Sequence, residues 1–143
     1  IMAYGDKKDI GFAGMKADSG DDRVESYAAD GAIPFGRVAT ANYAAGTVAI
    51  GGRTGTGITV HTHVKPNGYQ DKDNAGVMVF GNIWAGIKTG EAVTAGSKVT
   101  FEVSTGLLAA TGADLKGAII VDVATLKDGS EIAQVQLNNP ATF

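Results

Sequence analysis

The chain has 143 residues, no Cys, 21 Gly and a formal net charge of −3. That length fits one domain with a core of its own, and the missing thiols exclude a disulfide framework and a thiolate metal site. Residues 1–31 carry seven acids and four bases while residues 32–143 carry eight of each, so the whole excess charge lies at the N-terminal end and no cationic footprint for nucleic acid is present. No run of about 18 apolar residues occurs, so no membrane-crossing helix is expected. Ile1 to Asp6 lacks the basic and then apolar pattern of a secretory leader.

Taken in order, residues 1–31 show no sustained period, and Gly5, Gly11, Gly14, Gly20 and Gly31 interrupt any helix. An extended acidic arm with local turns is expected there, followed by a β body over 32–143. Gly36 to Thr40 and Thr47 to Ile50 read as strands, and Gly51 to Gly57 as a flexible loop. Ile58 to Val64 alternates, with Ile58, Val60 and Thr62 on one face. Lys65 to Gly76 is a polar connection holding one aromatic, Tyr69. Val77–Phe80 and Ile83–Ile87 flank Gly81-Asn82, the pattern of a two-residue primed hairpin turn. Lys98 to Val103 alternates, placing Val99, Phe101 and Val103 inward. Ser104-Thr105-Gly106 suits a turn with Gly in the left-handed region. Ala118 to Val123 reads as an apolar strand, and Asp128-Gly129 turns into Glu131 to Leu137. Seven to nine short strands about ten residues apart point to an all-β fold, a small β-barrel or jelly-roll-like sandwich of short antiparallel strands with an extended N-terminal arm.

Catalytic patterns are missing. His61 and His63 project to one side of a strand, but zinc needs three or four ligands and no others are specified. Both histidines are expected to point outward. The glycine loop at 51–57 lacks the Gly-Lys-Ser/Thr of a phosphate loop and is followed by a strand, not a helix. No serine sits in a nucleophile elbow. Asp18, Asp21, Asp22 and Glu25 lack the spacing of a calcium loop. No catalytic residue, cofactor or metal is therefore assigned. Trp84, in an apolar stretch, is expected in the core. Asp18, Asp21, Asp22 and Glu25 are candidates for contacting a partner through charge, and Tyr27, Phe35 and Tyr69 through docked rings.

The stretch Ala13 to Gly20, with Glu25-Ser26-Tyr27 and Gly31 to Arg37, resembles the structural cement, or capsid decoration, proteins of tailed bacteriophages. Tyr69 to Trp84 extends the similarity, which runs from about Gly11 to Leu137. The resemblance implies a small β-barrel or jelly-roll-like protein without enzymatic activity. It implies a place on the outer surface of the virion capsid after synthesis in the bacterial cytoplasm, with an HK97-type major capsid protein as partner and a homo-oligomer, dimer or trimer, as the unit. Nucleic acid and membrane are not implied. A second reading is a head-attached carbohydrate- or cell-surface-binding β module. That reading calls for clustered aromatics on a solvent face, and one Trp with four Tyr counts against it. A third is a small enzyme using His61 or His63.

Overall fold

One strand organises the molecule. The computed structural model describes residues 11–17, 22–62, 64–65 and 67–138. Among them are eight strands: β1 (Arg23–Ala29), β2 (Val38–Asn42), β3 (Thr47–Ile50), β4 (Gly57–Thr59), β5 (Asn74–Gly86), β6 (Lys98–Phe101), β7 (Ala113–Thr125) and β8 (Glu131–Asn138). The first half of β5 pairs with β1 on one side and β4 on the other. The order β1-β3-β2-β4-β5 then closes through the β1–β5 pairing. The result is a five-stranded barrel, and closure leaves none of its strands as a free edge along the paired stretches. All its pairings are antiparallel except β1–β3, which is parallel. The second half of β5 pairs with β8, followed by β7 and β6. The all-β small-barrel expectation holds, with eight strands.

The two halves of β5 serve two cores. Ala75 and Val77 join Ala29, Ile33, Ala39, Val48 and Tyr69 inside the barrel. Met78, with Val38 and Ile58, faces the other way and meets Ile83, Ala85, Phe101, Leu108, Leu115 and Val135 between barrel and second layer. Met78 and Ile83 share a cluster although their parity differs. A strictly alternating strand cannot do this. The break coincides with Gly81, whose φ of 121° is closed to most L-residues.

The predicted hairpin at Gly81-Asn82 is therefore absent. Gly81 and Asn82 stay in the ladder, opposite Leu137 and Gln136. The chain bends there from one layer into the next rather than reversing, because its two halves find different partners. The segment read as an arm also differs over 23–29. Glu25, Tyr27 and Ala29 turn toward the barrel while Val24, Ser26 and Ala28 stay exposed, so β1 is a structural stave. The strand expected to run to Val64 stops at Thr59. Thr59 is fully buried, donates its hydroxyl to Pro34 O at 2.8 Å and accepts the Arg37 N–H at 3.1 Å. Beyond it, the Val60 and His61 amides turn to Gly76 O and Gly14 O, both at 2.9 Å. Val103, expected inward, is 40% exposed because the ladder ends at Phe101 and the chain turns. The turn at Ser104-Thr105-Gly106 has Gly106 at φ 70°, as expected. Asp128-Gly129 turns as expected, closed by Leu126 N–H to Ser130 O at 2.8 Å.

Residues 11–17 lie as a strap across the second half of β5. The Gly14 amide donates to Trp84 O, the Trp84 amide to Met15 O and the Ala17 amide to Asn82 O. Trp84 is buried as expected, at 2% exposure. Gly11 covers it so closely that a Cβ would stand 2.8 Å from Trp84 Cδ1.

Candidate interaction surface

Glu25 and Tyr27 project to one side of β1 because they are two apart on a strand. The Tyr27 hydroxyl donates to Glu25 Oε1, and Arg23 Nη2 donates to Glu25 Oε2. The bond from Tyr27 and then that from Arg23 hold the Glu25 carboxyl below its ordinary value. Burial, with the Glu25 carboxylate beside it, pushes the Tyr27 phenol up. The Tyr27 ring meets Tyr43 edge-on, centroids 6.2 Å apart. Tyr43 is 63% exposed. The sequence reading missed Tyr43, although an aromatic between Asn42 and Ala44 in a polar turn is itself a signal. Together these four side chains make a preorganised patch of charge and ring faces.

The remaining sequence candidates go elsewhere. Asp22 makes a surface pair with Lys16 at 3.4 Å. Asp18 and Asp21 lie outside the described residues, as does His63. Tyr69 turns into the barrel core at 4% exposure and donates its hydroxyl to Val60 O at 2.6 Å. Phe35 is half-buried and packs edge-on to Tyr69 at 5.3 Å. Phe35 also meets His61 at 4.8 Å, and Phe12 of the strap meets the other flank of His61 at 4.8 Å. His61, expected to point outward, is half-buried between these rings because the strap folds over it. Among the described residues no three His, Cys, Asp or Glu side chains gather as a metal group.

The glycine loop is not the flexible loop expected. Gly51, Gly55, Thr56 and Gly57 are buried, and only Arg53 and Thr54 stand exposed at its tip. The Gly51 and Gly52 amides donate to Val38 O and Val103 O at 2.7 and 3.1 Å. A Cβ on Gly55 would lie 2.4 Å from Leu115 Cδ1. The loop wedges barrel and second layer together.

The outer face of β5, β8 and β7 carries a second surface. Phe80 (39% exposed) and Ile119 (41%) flank a groove of about 580 Å³ also lined by Asn82, Gln136 and Asn138. Apolar side chains exposed beside amides are the composition of a binding surface.

The sequence matches the family described as "Structural cement protein (E217 gp24/Pam3 gp6)" over residues 2–138. The chain belongs to the structural cement protein family. A solved structure described as the capsid of Myoviridae phage XM1 contains a chain of the same fold. The TM-score is 0.72 at 18% identity, covering 96% of this chain and 98% of that one. No curated protein matches. The cement family is a class of structural proteins, not of enzymes, so this member has a structural, capsid-associated role in the phage virion.

Proposed function

We propose that this cement protein binds the outer surface of the assembled head and stabilises it by bridging adjacent subunits of an HK97-type major capsid protein. It acts as a homo-oligomer, a dimer or trimer. The observation that carries this reading is a β body that presents preorganised charge, ring and apolar faces at its surface. The patch of Arg23, Glu25, Tyr27 and Tyr43 is one such face, and the Phe80–Ile119 groove is another. The single Trp is buried under the strap, which removes it from any sugar-stacking face and weighs against the carbohydrate reading.

Bridging acts through geometry and mass action. A specific interface buries roughly 1,600 Å² in total. Once one face is docked, contact by another is effectively intramolecular, so modest contacts add. A ligand that binds only the expanded shell stabilises that shell by mass action. Co-sedimentation with expanded undecorated heads and with unexpanded proheads tests the reading. Saturable binding to expanded heads supports it and gives the copy number. Binding to neither, or decorated heads no more heat-resistant than bare ones, removes it.

A further inference from the structure

We propose that the edge of β7 at Asp114–Lys116, which meets no strand on its β8 side among the described residues, takes an extended, carboxylate-bearing segment of the capsid subunit as an added strand. This rests on the capsid-binding reading above and names the chemistry of one contact. Over 113–115, β7 pairs with β6, while its pairing with β8 begins only at Ala118, opposite Leu137. On the β8 side, residues 113–117 meet no strand among the described residues.

The direction of the backbone groups follows from the ladder. Thr100 O accepts the Ala109 amide at 3.0 Å, and the Glu102 amide donates to Leu107 O at 2.9 Å, so both residues face away from β7. Bonded pairs alternate in an antiparallel ladder. Val99–Leu115 and Phe101–Ala113 therefore exchange the β6–β7 bonds, and Asp114, opposite Thr100, turns its N–H and C=O outward. Beyond Leu115 the β6–β7 register shifts, with Lys98 opposite Ile119, so Lys116 lies at the start of a bulge that leaves β6. A strand stretch that turns peptide groups outward on an unpaired side is a template for an added strand.

The edge opens into a groove of about 440 Å³, walled opposite by Thr40, Tyr43 and Arg53 to Thr56. The Asp114 carboxylate is matched by Lys98 at 3.5 Å. Arg53 and Lys116 have no carboxylate partner among the described residues. Among the described residues the groove thus holds two cations without a carboxylate partner beside a strand edge that meets no other strand, and a strand bearing carboxylates satisfies both.

Deuterium exchange of the Asp114 and Lys116 amides, resolved from the β6-bonded Ala113 and Leu115 by fragmentation mass spectrometry on the full chain free and bound to expanded heads, tests this. Fast exchange in the free chain that slows at least about tenfold on heads is the expected result. Protection already present in the free chain means that residues 139–143 or, where it rises with concentration, a second copy fills the edge, and it overturns the proposal. Fast exchange in both states with saturable head binding overturns it while leaving the capsid-binding reading intact. Failure of the wild type to bind heads sinks that reading and this one with it. Arg53→Gln/Lys116→Gln should weaken head binding about tenfold, the range for two exposed charge pairs, and should flatten its salt dependence. Arg53→Gln alone serves if the double variant does not fold. Unchanged binding by a folded variant refutes the role of the cations.

Discussion

Replacing Gly14 with alanine tests whether the strap is a clamp on β5. Gly14 has φ +91°, and its added Cβ would lie 2.7 Å from Phe35 Cβ and 2.9 Å from the His61 amide nitrogen. The left-handed backbone costs an alanine about 1–2 kcal/mol, and overpacking adds about 1–3 kcal/mol. Against this stand four backbone hydrogen bonds: Gly14 to Trp84, Trp84 to Met15, Ala17 to Asn82 and His61 to Gly14. At about 0.5–1.5 kcal/mol net each, they are worth about as much as the strain. The strap should therefore lift from β5 in a large fraction of molecules while barrel and second layer stay folded. Trp84, the only tryptophan, reports this directly, because it is 2% exposed and Gly11 of the strap covers it. Its emission should shift to the red and acrylamide should quench it more readily. Gly46→Ala is the control, with φ +71° and nothing within 4 Å, so it carries strain without collision. If Gly14→Ala matches Gly46→Ala in emission, quenching and melting temperature, the clamp argument is refuted.

Three further outcomes follow from the packing and the charges. Gly55→Ala should destabilise by about 2–4 kcal/mol, from backbone strain at φ +75° and a Cβ 2.4 Å from Leu115 Cδ1; urea unfolding measures it, and a loss under about 1 kcal/mol contradicts the wedged loop. Phe101→Ala, at the largest fully buried side chain of the interlayer core, should cost about 3–5 kcal/mol, read from the same transition. Glu25 has a folded-state pKa below its ordinary 4.5, so its contribution is present above that value and lost as pH falls through the folded one. Tyr27→Phe removes the largest cause of the shift. The variant should be less stable than wild type at pH 7, and the gap should close at low pH; a gap that is constant from pH 7 to pH 2.5 rules out the carboxylate as its source.

Local alternation was enough to place Val99 and Phe101 inward, and local turn chemistry was enough for Gly106 and Gly129. These features depend on neighbours in sequence. Gly81-Asn82 shows the opposite case. The same residues suit a reversal or a bend, and the choice is made by β1, β4 and β8, which bind the two halves of β5 from distant parts of the chain. β1 escaped notice because its inward positions hold Glu25 and Tyr27, polar-tipped residues that satisfy each other at the barrel's margin. The first part of β7 escaped notice for a related reason. Asp114, Lys116 and Gly117 interrupt any apolar alternation, and among the described residues this part of β7 pairs only with β6, over 113–115. Of the candidate site, the pairing of Glu25 with Tyr27 follows from their spacing. The fate of Phe35 and Tyr69 does not, since it depends on how the strap and His61 close over them.

The way β5 joins the two layers bears on what a cement protein must do. A protein that holds a shell together transmits load between its contacts, and a hinge between those contacts would absorb it. Here the charged aromatic patch lies on β1, a barrel stave bonded along the first half of β5. The edge groove is walled jointly by the barrel side, at Thr40 and Arg53 to Thr56, and by β7 of the second layer. The second half of β5 binds β8, and β8 binds β7, so both proposed contacts belong to one continuous hydrogen-bonded sheet. Met78 and Ile83 pack into a single cluster on either side of the bend at Gly81, which stiffens the one place where the strand turns. Two sites on such a body keep a fixed separation. The second contact then forms without ordering a linker, and the effective concentration of the second site depends on its fit to the shell rather than on chain flexibility. A flexible tether between the same two contacts would bind a distorted shell almost as well as a regular one. A rigid body favours the geometry it matches and so stabilises that state of the shell over others.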